Sequence, residues 1–235
     1  SIRRQRQMCI RDRNRNNQYI ISSKDINEFR EARLMTKFDH HFQLPKVLSD
    51  RQLSILPISR GGYILSKIET FKNLIESPEL DIIEFAIPSY IESLDFSTIT
   101  SEALAINCAY VSQIISDFTQ DENLVPTISG RMSSQSFNFN IRQLGKEDSF
   151  LHVDVQNAQI EIDGGYEGVT SLNLIEAKNN LSSDFLIRQL YYPYRLWKNR
   201  ITKEVRPIFL TYTNGIFHLR EYQFTDLFNY NSIEL

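Results

Sequence analysis

The stretch that decides the fold runs from Gln159 to Lys178: Gln159-Ile160-Glu161-Ile162-Asp163-Gly164-Gly165, then Ser171-Leu172-Asn173-Leu174-Ile175-Glu176-Ala177-Lys178. In the first half Ile160 and Ile162 alternate with Gln159, Glu161 and Asp163, the later part of a strand expected over Leu151 to Asp163 and ended by Gly164-Gly165. The second half is a further strand that ends on Glu-Ala-Lys. At period two Glu176 and Lys178 leave the same face, and Asp163, closing the strand before, falls beside them across the ladder. Two carboxylates so placed repel and raise each other's pKa unless a cation holds them, and Mg²⁺ with hard oxygen ligands suits that position. An ammonium at Lys178 would then sit beside a phosphate under attack, and the Ala177 carbonyl would add a ligand. Taken alone, Glu-Ala-Lys is common on solvated helices and Asp before Gly-Gly is a common turn former. The β-run before the triplet and the amphipathic segment after it give the arrangement its weight.

Downstream, Asp184 is expected to open an amphipathic helix reaching about Asn199. Leu186, Leu190, Tyr194 and Trp197 form its apolar stripe, while Arg188, Tyr192 and Arg195 share a face that could lie along DNA. Val205 to Thr213 reads as a strand, Asn214-Gly215 as a hairpin turn, and Ile216 to Phe224 as the return strand. Upstream, Leu104, Cys108, Val111, Ile115 and Phe118 predict one helix over 100–118, capped by Thr100 with Glu102 in its first turn. Ser136 to Ile141 alternates as a strand does, after a polar segment, 127–134, that carries Arg131. Residues 79–96 read as a strand, a turn at Pro88 and a connection. Residues 44–66 suit strands and turns, with Arg60-Gly61-Gly62-Tyr63 either a phosphate-approach loop or a plain turn. Residues 14–42 predict one helix starting after Ser22 or Ser23.

The chain has 235 residues, 41% hydrophobic and 23% charged, which is a globular composition rather than a disordered one. Its apolar runs are too short to span a bilayer, no signal peptide opens it, and a cytosolic location is expected. Cys9 and Cys108 are too few for a disulfide framework or a zinc cluster, and Cys108 falls on the apolar helical stripe. Arg3-Arg4-Gln5-Arg6-Gln7-Met8-Cys9-Ile10-Arg11-Asp12 reads like a sequencing-library adapter translated in frame, so residues 1–13 are set apart as non-native; the other reading is a basic arm for nucleic acid. The whole chain has a net charge of −3; without the five arginines and one aspartate of 1–13, 21 basic residues face 28 acidic ones, a net −7. Any positive charge for a polyanion must therefore be local. Lys178, Arg188, Arg195, Lys198, Arg200, Lys203 and Arg206 supply such a cluster, although basic residues also favour helix C-termini. No phosphate-binding glycine loop and no serine or cysteine nucleophile signature occurs. His40-His41 lacks companion ligands, and His152 with Asp154 reads as a solvated pair. Three regions are expected: 1–13, an N-terminal helix and strand region 14–96 with a DNA-contacting role, and a core 97–235, in a chain lacking sequence at both ends.

Ile160 to Gly168, Leu174 to Asn179 and Asp184 to Trp197 resemble the PD-(D/E)xK nuclease superfamily, and within it a group of bacterial type II restriction endonucleases. The resemblance implies an α/β (α+β) fold with a mixed central sheet flanked by helices. It also implies Mg²⁺-dependent hydrolysis of phosphodiester bonds in double-stranded DNA at a specific sequence, with Asp163, Glu176 and Lys178 catalytic. The metal ligands implied are Asp163, Glu176, Ala177 and, from the helix before the core strands, Glu102, a residue equally suited to favour its helix N-terminus. Ile162 stands where proline often precedes the aspartate. Gln189 matches a glutamine often found after the lysine strand. DNA contacts are expected from Arg188, Gln189, Tyr192, Arg195, Arg131 and Arg60. A homodimer and a cognate DNA methyltransferase are the further partners implied, with no membrane association. A structure- or end-directed repair nuclease, or a non-catalytic DNA-binding relative, would share these features. Discrete fragments from a plasmid mark the restriction enzyme.

Overall fold

The computed structural model describes residues 18–75 and 81–235. The basic opening segment with Cys9, and Glu79-Leu80 at the head of the strand expected over 79–96, lie outside them.

Two five-stranded sheets carry the fold. The second holds β5 (Val125–Ser133), β8 (Gln159–Glu167), β9 (Ser171–Lys178), β11 (Glu204–Thr213) and β12 (Ile216–Glu221), in the order β12-β11-β9-β8-β5. All its pairs are antiparallel except β9 with β11, which run parallel because α6 (Arg188–Lys198) crosses over between them. β9 is buried at all eight positions, as a central strand covered on both faces must be. One face packs on α4 (Glu102–Val111) and α5 (Ile114–Thr119) through Ile106, Ala109, Ile115, Ile175 and Ile208. The other packs on α6 through Leu172, Leu174, Phe209, Leu190 and Leu196. The architecture is therefore mixed α/β, with a mixed sheet between helices.

The first sheet has the order β1-β3-β2-β7-β6, from β1 (Gln18–Ser22), β2 (Ser54–Ser59), β3 (Gly62–Ser66), β6 (Ser136–Arg142) and β7 (Phe150–Gln156). It closes over the far side of α6, where Phe137 and Phe139 meet Tyr191 and Tyr192 edge-on or tilted. The sheets share two chain passages, β5 to β6 and β7 to β8. Gln135 and Asn157 take positive φ at these corners and stay joined by the bond from Asn157 N–H to the Gln135 carbonyl, 2.9 Å.

Several local expectations change. The helix predicted over 14–42 is β1 followed by two short helices, α1 (Ser23–Asn27) and α2 (Ala32–Thr36); Ser22 does cap the first, in a capping box with Asp25. A third short helix, α3 (Lys46–Ser49), precedes β2. Residues 81–101 contain no strand. The helix over 100–118 is capped by Ser101 rather than Thr100 and breaks at Gln113, whose φ is 68°. The polar segment 127–134 is most of edge strand β5.

The strand expected over Leu151 to Asp163 is two, β7 and β8, divided at Asn157; Gly164-Gly165 does not end the second but lies inside it, paired with Ile175 and Leu174. A Cβ on Gly165 would stand 2.8 Å from Ile128 Cβ, so the pair serves close packing rather than a turn. Asp184 opens β10 (Asp184–Leu186), which pairs with β4 (Phe71–Asn73), and the helix begins only at Arg188. Asn214-Gly215, with φ of 50° and 81°, makes the hairpin expected between β11 and β12. The C-terminal residues form one further small pair, β13 (Gln223–Phe224) with β14 (Ile233–Glu234). No described helix is long and apolar enough to cross a membrane.

Candidate active site

Register brings the acids together. Gly164 pairs with Ile175, so Asp163 and Glu176 are the next positions outward on β8 and β9. The Asp163 carboxylate accepts from the Ala177 N–H at 2.9 Å, which ties it across the ladder to the Glu-Ala-Lys triplet. Glu176 and Lys178, each 6% exposed, share a face and touch, Lys178 Nζ donating to Glu176 Oε1 at 2.5 Å. The same ammonium donates to the Ala177 carbonyl at 3.1 Å and lies 3.6 Å from Glu102 Oε1. Glu102 reaches it from the first turn of α4, where Ser101 caps the helix. The structure brings these four expected residues together around the C-terminal end of β9, with Asp163 inside β8 rather than closing it.

Gln189 joins them from the first turn of α6. Its Nε2 donates to Glu176 Oε1 at 2.5 Å and to Asp39 Oδ1 at 3.1 Å. Asp39 was not found by sequence reasoning. It lies 150 residues upstream of Gln189, and nothing in its own pattern marks it. Its neighbours hold it in place: buried His40 lies with Nδ1 2.7 Å from the Asp184 carbonyl, and His41 N–H donates to Asp184 Oδ2 at 3.0 Å.

These contacts make the site unusually acidic for its depth. Burial pushes the Glu176 carboxyl up to about 8; Asp163 and Asp39 push the same way and Lys178 pulls it down. Asp163 is raised by burial, against the Ala177 N–H and Lys178. Glu102 is raised by burial too, opposed first by Lys178. For Lys178 burial disfavours the ammonium, but Glu176, Asp39 and Glu102 outweigh it, and its pKa rises. The lysine is a held cation beside three carboxyls, Glu102, Asp163 and Glu176, that burial makes reluctant to ionise. Among the described residues no three His, Cys, Asp or Glu side chains are grouped closely enough to hold a metal ion on their own.

The expected DNA-contacting residues fare differently. Arg195, 2% exposed, is inside the protein, where its Nη1 donates to the carbonyls of Asn138 and Leu227 and to the Tyr191 hydroxyl. Tyr192 is fully buried and donates to the Pro57 carbonyl at 2.9 Å. Neither can reach a duplex; both join α6 to the first sheet. Arg188 is half-buried over the Tyr192 ring. Arg131 is exposed but pairs with Glu161 at 3.1 Å, and Arg60 is exposed at the turn between β2 and β3.

Three of the seven basic residues over 178–206 are paired at home, Lys178 with Glu176, Lys203 with Glu167 and Arg206 with Glu221, and Arg195 is buried, while Lys198 and Arg200 are exposed at and just beyond the end of α6. A local charge excess counted along the chain is thus not a surface excess. His152 and Asp154 are the solvated pair expected, and Cys108 is buried.

Residues 66–235 match the family model described as a domain of unknown function, DUF6997. The chain belongs to that family. Residues 5–65 match a second model, described as a domain of unknown function, DUF6996, and that match takes in residues 5–13. Glu102, Asp163, Glu176, Lys178 and Gln189 all lie in the DUF6997 part, whereas Asp39 comes from the DUF6996 part. No curated protein and no solved structure matches the chain.

Proposed function

We propose that this chain is a Mg²⁺-dependent endonuclease of the PD-(D/E)xK type, hydrolysing double-stranded DNA as type II restriction enzymes do. The observation that carries the reading is the convergence of Asp163 on β8 with Glu176, the Ala177 carbonyl and Lys178 at the end of adjoining β9, with Glu102 on the flanking helix. The mixed sheet between helices accords with it.

The donor set fits Mg²⁺. All the available donors are hard oxygens, they already surround one positive charge, and their raised carboxyl pKa values mark a place where a further cation would be stabilised. Mg²⁺ is held by one or two carboxylates, with waters and substrate phosphate completing its shell, so the lack of a three-acid cage is no obstacle. Asp163, Glu176 and the Ala177 carbonyl would hold the ion, with Glu102 at its margin. Once bound it lowers the pKa of a coordinated water and offsets phosphate charge.

The protein's own groups do the remainder. The Ala177 N–H and Gln189 orient the two carboxylates before substrate arrives. Lys178, released from Glu176, would place an ammonium against the non-bridging oxygens as water adds to phosphorus, so that charge is stabilised where it grows. One bridging P–O bond breaks, and the leaving alkoxide takes up a proton as the attacking water loses one. A plasmid digest with Mg²⁺ or with EDTA, followed by mapping of the ends, tests the reading. Discrete Mg²⁺-dependent fragments are expected. A shortening ladder would indicate an end-directed nuclease, and intact plasmid at every Mg²⁺ concentration would remove the proposal.

A further inference from the structure

Two rows of side chains cross the second sheet on the face that carries Glu176 and Lys178. Residues paired across a ladder project to the same side. Glu176 pairs with Phe209 and Phe209 with Arg220, while Lys178 pairs with Thr211 and Thr211 with His218. The rows therefore lead from the acids on β9, over β11, to Arg220 and His218 on β12. Adjacent strands stand about 4.8 Å apart, so Arg220 is about 10 Å across the sheet from Glu176.

Arg220 is 8% exposed, yet among the described residues it has no carboxylate partner. Its one hydrogen bond runs from Nη1 to Thr211 Oγ1 at 3.4 Å, long for a guanidinium, and its Nε finds no acceptor. Two other arginines on neighbouring elements are better partnered, although Arg195 Nε also lacks an acceptor and Arg206 is only partly buried. Arg206 forks onto Glu221, and Arg195 reaches two carbonyls and a hydroxyl. A guanidinium cannot shed its proton, so an arginine withdrawn from water with neither an anion nor well-placed acceptors costs free energy that the fold alone does not recover. Thr211, fully buried, and His218, half-buried with its pKa lowered by burial and by Arg220, are the polar neighbours; no acid stands beside them in their rows beyond Glu176.

We infer that Arg220, held by Thr211, forms an anion subsite for a backbone phosphate of the nucleic acid, next to the phosphate that Lys178 faces. The planar fork of arginine suits two phosphate oxygens, while the buried Thr211 hydroxyl accepts from Nη1 and holds the fork in place. Its polynucleotide source rests on the nuclease reading; the anion chemistry does not. The subsite also supplies the local positive charge that the α6 cluster does not provide.

The test uses the full chain with Arg220→Met, which keeps the volume and removes the charge. Thermal melting is followed with and without inorganic phosphate, and binding of a 20-base-pair duplex is measured in EDTA over a range of salt. The expected result has three parts. The melting temperature of Arg220→Met without phosphate is equal to or above that of the native chain, the phosphate-induced rise of the native chain disappears, and duplex affinity falls about ten- to hundred-fold with the log–log salt slope shallower by about one. A variant that melts lower while keeping the phosphate response would make Arg220 structural and overturn the proposal. Loss of the phosphate response with an unchanged salt slope would assign the site to free phosphate or a small phosphorylated ligand, overturning the DNA source. Because these readouts need neither Mg²⁺ nor cleavage, a protein that shows them and cuts nothing would retain the subsite and lose the nuclease reading.

Discussion

Replacing Arg195 with methionine should cost stability rather than DNA affinity. Its Nη1 donates to the Asn138 carbonyl at 2.8 Å, the Leu227 carbonyl at 2.7 Å and the Tyr191 hydroxyl at 2.8 Å, and the guanidinium lies 5.0 Å from the ring centres of both Phe137 and Phe228. Methionine fills much of the space but leaves two carbonyls and the Tyr191 hydroxyl without this donor. Hydrogen bonds from a charged group contribute about 1.5–3 kcal/mol each, and they do not add when one atom makes all three. The loss should be about 2–4 kcal/mol, more than one such bond and less than the sum of three.

In urea, with a slope of about 2–3 kcal/mol per molar, the unfolding midpoint should fall by about 1–2 M. Fluorescence of Trp197, the single tryptophan, reports it from the end of the same helix. Arg195→Lys keeps the charge but loses the fork and should fall between the two. A midpoint within about 0.2 M of the native value, together with weakened duplex binding, would refute the reasoning and return Arg195 to the DNA-facing surface.

Two further outcomes follow from the acid cluster. Glu176, held near 8, and the raised Asp163 and Glu102 keep protons in the folded chain that the unfolded chain releases above their ordinary values. Folded binding exceeds unfolded binding over that window, so in EDTA the stability should fall as pH rises from about 4.5 to 8. The raised Lys178 contributes fully below its ordinary 10.5 and stays constant across the window. Saturating Mg²⁺ should restore more stability at pH 8 than at pH 6, and the fall should flatten in Glu176→Gln; an equal slope in that variant would exclude Glu176 as its source. Asp39→Ala and Gln189→Leu should each weaken Mg²⁺ binding about ten-fold in titration calorimetry, and the double variant should be no weaker than either. Additive losses would mean that Asp39 acts by some route other than Gln189.

How much of this was legible depended on the range of the interactions. β9 and the Asn214-Gly215 hairpin were readable because alternation and turn chemistry are local. Glu176 and Lys178 were readable for the same reason, since period two alone puts them on one face. Gly164-Gly165 misled because glycine signals both turns and close approach, and only Ile128 on β5 shows which applies here. Asp184 looked like a helix cap, but pairing of β10 with β4 and the bond from His41 N–H override that propensity. The basic run over 178–206 counted charges whose partners, Glu167 and Glu221, are distant enough in sequence to be invisible in it. Asp39 and Arg220 share that property: each gains its meaning from what the fold sets beside it.

The most direct measurement is Mg²⁺-dependent cleavage of supercoiled plasmid by Lys178→Ala beside the native chain, with duplex binding followed in parallel and the melting temperature confirming that the variant is folded. The account predicts cleavage by the native chain, loss of about a thousand-fold or more in the variant, and duplex affinity changed by no more than a few-fold. Undiminished cutting by Lys178→Ala, or native cutting that persists in EDTA, would contradict it.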